Sequence, residues 1–196
     1  MRKLFGLALG LAVIGTAGLV PVSADDNKEE PKIIVPFVPT HPKVVAAMLK
    51  LADVKEGDTV YDLGCGDGRI VIAAVKDFKA KRGLGLDFNP ERLKDCQKSM
   101  EEAKLTPEQK KKITFKQGDV LKMKPEDFKD VDVVTLYLLP SVNRELKPVL
   151  QKGLKSGARV VSHDFDMGDD WKEDKKESVE ADRTHTVYLW TIKEKK

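Results

Sequence analysis

Cysteine is scarce in this 196-residue chain: Cys65 and Cys96 are the only two, too few for a disulfide framework. Neither has a partner at CxxC spacing, and the three histidines, His41, His163 and His185, are scattered along the sequence. No zinc site is expected, nor any other metal site. Charge of one sign is missing as well. The formal charge of +3 includes Arg2 and Lys3, so a product beginning after Ala24 would carry +1. Such a balance points to neither nucleic acid nor an anionic membrane as a partner. No internal repeat is found, and no low-complexity tract beyond one polar stretch near the start.

Long apolar runs are also lacking, with one exception. Leu4 to Val20 is uninterrupted by charge but lies at the lower limit for crossing a bilayer of about 30 Å. Basic Arg2 and Lys3 precede it and the small residues Val22, Ser23 and Ala24 follow, the pattern of a cleavable export signal. The expectation is a signal peptide over 1–24 and a periplasmic or secreted product. An uncleaved segment would instead anchor the protein to the membrane; cleavage leaves no stable insertion. Asp25 to Lys32 is polar and without apolar periodicity, so 25–35 is expected to be a flexible linker and 36–196 one folded domain.

What the chain does have is an ordinary globular composition, 41% hydrophobic and 34% charged, enough for one good core. Pro36, Pro39 and Pro42 forbid a continuous helix and predict an extended arm. Val44, Val45, Met48, Leu49 and Ala52 then mark one buried face of a helix.

From Thr59 onward strands and helices alternate, which predicts a mostly parallel sheet covered on both faces. Strands are expected at Thr59–Leu63, Gly83–Asp87, Ile113–Gln117, Val131–Leu138 and Ala158–Phe165. Helices are expected at Arg69–Phe78, from Pro90, and from Ser141 with a break at Lys147 caused by Pro148. Glu177–Ala181 and Thr184–Ile192 read as a final antiparallel pair. The predicted architecture is therefore α/β, with a seven-stranded sheet closed by a C-terminal antiparallel hairpin.

Three strand ends carry acids. The first runs Asp62-Leu63-Gly64-Cys65-Gly66-Asp67-Gly68-Arg69 into a helix. Glycines there permit a tight turn and a close ligand approach, and the helix start offers an anion the positive end of its dipole. Arg69 occupies the position where a dinucleotide site wants a small residue, which counts against NAD. Asp87 ends the second strand, where a carboxylate can accept hydrogen bonds from two ribose hydroxyls; a helix-capping aspartate is the alternative. Gly118-Asp119-Val120 ends the third, as an adenine contact or a plain surface turn. All three acids converge on the carboxyl edge of the sheet, where open α/β folds bind ligands.

These residues resemble motifs of the class I methyltransferases, which have a Rossmann-like fold. More narrowly, Pro36-Phe37-Val38-Pro39-Thr40, the run Asp62 to Ala73 and Leu139-Pro140 resemble the protein lysine methyltransferases that act on the ATP synthase c-subunit and the adenine nucleotide translocase. The resemblance implies S-adenosyl-L-methionine as cofactor, with Asp62, Gly64, Cys65, Gly66, Gly68, Asp87, Asp119, Val120 and Thr40 around it. It also implies an arm over the cofactor and, near Phe37, Pro39, Leu139 and Pro140, a methyl acceptor, which in that family is a protein lysine. His163 ends the fifth strand with Asp164 and Asp166 and could line the acceptor side; a hydrogen-bonded structural histidine is the other reading. No catalytic base is assigned.

Two readings compete with the lysine methyltransferase: a small-molecule methyltransferase, and a non-catalytic module that binds S-adenosylmethionine or a nucleoside. A nicotinamide-dependent oxidoreductase is a third, disfavoured by Arg69.

Overall fold

The computed structural model describes residues 37–194. The expected signal peptide, linker and Pro36 lie outside the described residues. The elements in chain order are α1 (Pro42–Leu51), β1 (Thr59–Leu63), α2 (Arg69–Lys76), β2 (Arg82–Asp87), α3 (Pro90–Glu102), α4 (Pro107–Lys111) and β3 (Ile113–Gln117). After two short 3-10 turns come β4 (Val133–Leu136), α5 (Pro140–Gly153), β5 (Arg159–His163), β6 (Lys175–Glu180) and β7 (Thr184–Thr191).

The seven strands form one sheet in the order β3-β2-β1-β4-β5-β7-β6. The first five are parallel, while β7 runs antiparallel to both β5 and β6. The expected mostly parallel sheet with its C-terminal antiparallel hairpin is what forms. Chain order reverses between β1 and β4, so their carboxyl ends open a crevice there.

Strand alternation divides the core into two layers. Val161 and Val187 pack with Val44, Met48 and Ile70 on the α1–α2 side. Val160 and Trp190, the neighbours of Val161 and its cross-strand partner, pack with Leu136, Leu146 and Leu150 on the α5 side. All five apolar positions expected to mark the buried face of α1 are buried. Among the described residues, no helix is long and apolar enough to cross a membrane.

Several boundaries differ from the sequence expectation. The helix expected to break at Lys147 runs unbroken through Pro148 to Gly153. Pro148 is exposed, so water can reach the carbonyl that its missing N–H leaves unpaired, while Val142, Leu146 and Leu150 hold the helix against the sheet. Strands four and five are shorter than expected. Tyr137 and Leu138 leave the ladder as the chain turns into α5, and Asp164, at φ +60°, ends β5. The α4 helix escaped the periodicity reading because it has no buried residue; its signal is the capping box of Thr106 and Gln109.

Candidate active site

The turn from β1 into α2 is built on glycines in the left-handed region, where a Cβ is strained. Gly66 has φ +56°, and a Cβ on it would overlap the Phe37 ring. Gly68 caps α2 with φ +77°, and a Cβ there would overlap Phe115 instead. The first glycine therefore lets the arm approach from outside, and the second lets the helix pack inside.

Asp62, on β1, is buried at the floor of the crevice. Thr135 donates its hydroxyl to Asp62 Oδ1 at 2.6 Å, while Oδ2 has no partner among the described residues. Burial, with the negative charges of Asp87 and Asp67 adding to it against the Thr135 bond, pushes the Asp62 carboxyl up to about 7. A buried oxygen without a donor in a cavity suits a ligand that brings its own hydrogen, such as an ammonium group.

Asp87 accepts the Gly66 N–H at 2.8 Å and the Asn89 N–H at 2.9 Å. The cap of α3 is Asn89, not Asp87. Asp119 accepts the Leu121 N–H at 3.0 Å and so caps a short 3-10 turn, while still facing the crevice with Val120. Gly64 and Cys65 line it as well. Cys65 and Cys96 are free and buried, with sulfurs 3.9 Å apart. The Cys96 thiol and burial push the Cys65 thiol up, which leaves it protonated and inert.

Over this floor lies the arm. The Phe37 ring sits on Gly66 with the Arg92 guanidinium 4.4 Å from its centroid. Thr40 is buried; its carbonyl accepts from Arg69 at 2.9 Å, and its hydroxyl lies 3.1 Å from His163 Nδ1. Arg69, whose odd placement argued against a dinucleotide, thus ties the arm to α2 while it pairs with Asp67. Pro39 and Leu139 also line the crevice.

Three expected site residues do not line it. Gly68 faces Phe115 and Cys96 in the interior. Pro140 is the first residue of α5, where its fixed φ and missing N–H suit a helix start. His163 is buried behind Tyr137, whose ring centroid is 3.8 Å from its own, and burial lowers its pKa to about 4. Asp164 is also turned away: burial would raise its carboxyl, but Arg183 and the Thr186 N–H outweigh that and hold it below the usual range. Asp166 accepts the Gly168 N–H in a local turn. The histidines that look scattered in the sequence are not scattered in space, for His163 and His185 touch at 2.8 Å.

Residues 62–175 match the ANTKMT methyltransferase domain family. The chain belongs to this family. It is 43% identical over 163 residues to a protein-lysine N-methyltransferase of Saccharolobus islandicus, covering 83% of this chain and 96% of the relative. It is 29% identical to the human lysine N-methyltransferase of the ATP synthase c-subunit, over 68% of this chain and 53% of that protein. A crystal structure described as an RNA methyltransferase of Salinibacter ruber, in complex with S-adenosyl-L-homocysteine, superposes with a TM-score of 0.70. That pair is 47% identical over 81% of this chain and 95% of the other.

The chain is therefore a methyltransferase with the Rossmann-like fold, and the nicotinamide and non-catalytic readings fall away. Within this methyltransferase the crevice also uses residues that sequence reasoning passed over. Tyr137 and Phe165 form its far wall. Both lie at strand ends, Tyr137 directly before Leu138-Leu139-Pro140, and that adjacency was the available signal. Burial and the nearby Asp164 raise the Tyr137 pKa, so the phenol stays protonated. Phe88, Asn89 and Arg92 close the side beyond Asp87.

Proposed function

We propose that this methyltransferase uses S-adenosyl-L-methionine to N-methylate a lysine of a protein substrate after export behind the 1–24 signal segment. The observation that carries the reading is the mixed lining of the crevice. The acids Asp62 and Asp87 share it with the apolar and aromatic side chains of Phe37, Val38, Tyr137, Leu139 and Phe165.

The cofactor, when bound, supplies a methyl group already activated by its sulfonium. Asp62 Oδ2 is the acceptor for its amino group, Asp87 for the ribose hydroxyls and Asp119 for the adenine amine. The backbone from Gly64 to Gly66 leaves the room, and the arm from Phe37 to Thr40 excludes water. A lysine reaching past the apolar wall loses hydration, which favours the neutral amine needed for attack. Alignment then does the rest, and no covalent enzyme intermediate or strong base is required.

The names of the relatives differ in acceptor, two naming a protein lysine and one an RNA. The crevice here is lined by Asp62, Asp67, Asp87 and Asp119 against Arg69 and Arg92, both of which are ion-paired. A net negative lining suits a cationic lysine and opposes a polyanion, whose binding depends on free basic groups. Two similar lysine methyltransferases support the same choice.

The test is incubation with methyl-labelled S-adenosylmethionine and separate protein and RNA fractions, followed by mass spectrometry of the labelled species. Methyl-lysine in peptides is the expected product. Label confined to RNA, or to small molecules, would overturn the lysine assignment while leaving the methyltransferase in place.

A further inference from the structure

Behind the acceptor wall, where β5 meets β7, three potential ligand atoms converge: His163 Nε2, His185 Nδ1 and Asp164 Oδ2. The two nitrogens are 2.8 Å apart, and the carboxylate oxygen lies 3.3 Å from the first and 3.5 Å from the second. Three ligands on one tetrahedral ion, with bonds of about 2.0–2.1 Å, stand roughly 3.3 Å from one another. Two edges of this triangle already have that length, and the third needs to open by only about half an ångström.

Hydrogen-bond accounting points the same way. Asp182 can only accept, so the hydrogen at 2.9 Å belongs to His185 Nε2, and in that tautomer of the ring Nδ1 is bare. His163 Nε2 must then donate to it, while Asp164 Oδ2 faces the same bare nitrogen at 3.5 Å with no proton between them. A cation at the centre would bind all three atoms, with the His163 proton moved from Nε2 to Nδ1, where the Thr40 hydroxyl can accept it. Every ligand also has an outer partner: Asp182 for His185, the Thr40 hydroxyl for His163 Nδ1, and the Thr186 N–H for Asp164 Oδ1. Such partners fix tautomer and ring orientation in metal sites.

We propose that His163, Asp164 and His185 form a mononuclear site for a divalent transition metal of the zinc class, with solvent or a further ligand in the remaining position. Arg183 also pairs with Asp164 Oδ2, but its side chain is half exposed and can turn to water when the ion enters. The bound metal clamps β5 to β7 and, through Thr40, holds the arm against the crevice. Its role is structural support of the acceptor side, so it is independent of which acceptor is methylated.

The tag-free protein is treated with a chelator, then titrated with cobalt(II) by visible absorption and with zinc(II) by equilibrium dialysis. The expected result is one equivalent of either ion, the d–d bands of a low-symmetry nitrogen and oxygen site, and a raised melting temperature with zinc. Affinity should fall at least about a hundredfold in both His185→Ala and Asp164→Asn, while His41→Ala, the remaining histidine, changes nothing. Failure of the unaltered protein to take up metal overturns the proposal without any variant. So does uptake of equal strength in His185→Ala and Asp164→Asn, which would place the ion elsewhere. Neither outcome bears on lysine methylation.

Discussion

The carboxylate of Asp87 holds the backbone N–H of Gly66 at 2.8 Å, so the acid that ends β2 fixes the shape of the glycine turn that follows β1. Its second oxygen holds Asn89, the cap of α3. One side chain therefore organises both loops that face each other across the floor of the crevice.

Asp87→Ala should consequently weaken two things at once. Cofactor affinity and unfolding free energy should each drop by about 1–3 kcal/mol, since two backbone donors and the ribose lose their acceptor. Urea unfolding and calorimetric titration with S-adenosylmethionine measure the two effects. A loss of affinity with stability untouched would show that Gly66 and Asn89 find other acceptors, and that Asp87 serves the ligand alone.

Asp62 makes stability depend on pH in an unusual direction. Its carboxyl titrates at about 7 in the fold against 3.8 when free, so between those values the folded protein keeps a proton that the unfolded chain has released. Stability from this group is complete below the lower value and is lost as pH rises through the upper one. At ~1.4 kcal/mol per pKa unit the change is on the order of 4 kcal/mol. Comparing urea unfolding of the parent protein and Asp62→Asn at about pH 5 and about pH 8 reads the part of it lost above pH 5, on the order of 3 kcal/mol. A ligand ammonium at Oδ2 should also expel the proton, making the binding enthalpy near neutral pH vary with buffer ionisation heat. Parallel stability curves for the two proteins would mean that Asp62 is already charged.

The glycine turn and the acids at the strand ends were legible because each is a local signal: a strand stops, the chain must turn, and a carboxylate stands at the edge. The β1 and β3 boundaries follow directly from such runs. What stayed hidden was joined across the sheet. Arg69 looks like a mere departure from a dinucleotide pattern, yet it reaches back 29 residues to the Thr40 carbonyl. His163 and His185 are 22 residues apart and meet only because β7 runs antiparallel beside β5. Pro148 misled for the opposite reason, since a strong local rule gave way to tertiary packing on α5.

Gly66→Val should lower both stability and cofactor affinity. The substituent would occupy the seat of the Phe37 ring, and its backbone would have to hold φ +56°, a conformation that costs a residue with a Cβ about 1–2 kcal/mol. From the sequence the obstacle is the ligand's path; in the structure the arm is displaced first. Gly66→Ala should show the same loss in smaller measure, because alanine adds less bulk. Circular dichroism melts and cofactor binding should be taken on both variants, and retained binding in the valine form would remove the arm from any role at this turn.

Deleting the arm tests whether it covers the cofactor or merely leads into α1. A chain beginning at His41 keeps every strand and helix but loses Phe37 above Gly66, and with Thr40 it loses the acceptor of Arg69 and the partner of His163. Phe37 and Val38 are 43% and 54% exposed as they stand, so both have apolar surface left to bury against a ligand. Complete burial of one such side chain contributes roughly 1.5–3 kcal/mol, and ~1.4 kcal/mol is a factor of ten in affinity. The shortened chain should therefore fold yet bind S-adenosylmethionine at least about tenfold more weakly than the full protein. Phe37→Ala in the full chain should reproduce most of that loss while leaving Arg69 and His163 with their Thr40 partner, which separates shielding from anchoring. If all three proteins bind equally well by calorimetry, the arm is no part of the cofactor site, and the apolar wall that favours a neutral lysine must be built from Tyr137, Leu139 and Phe165 alone.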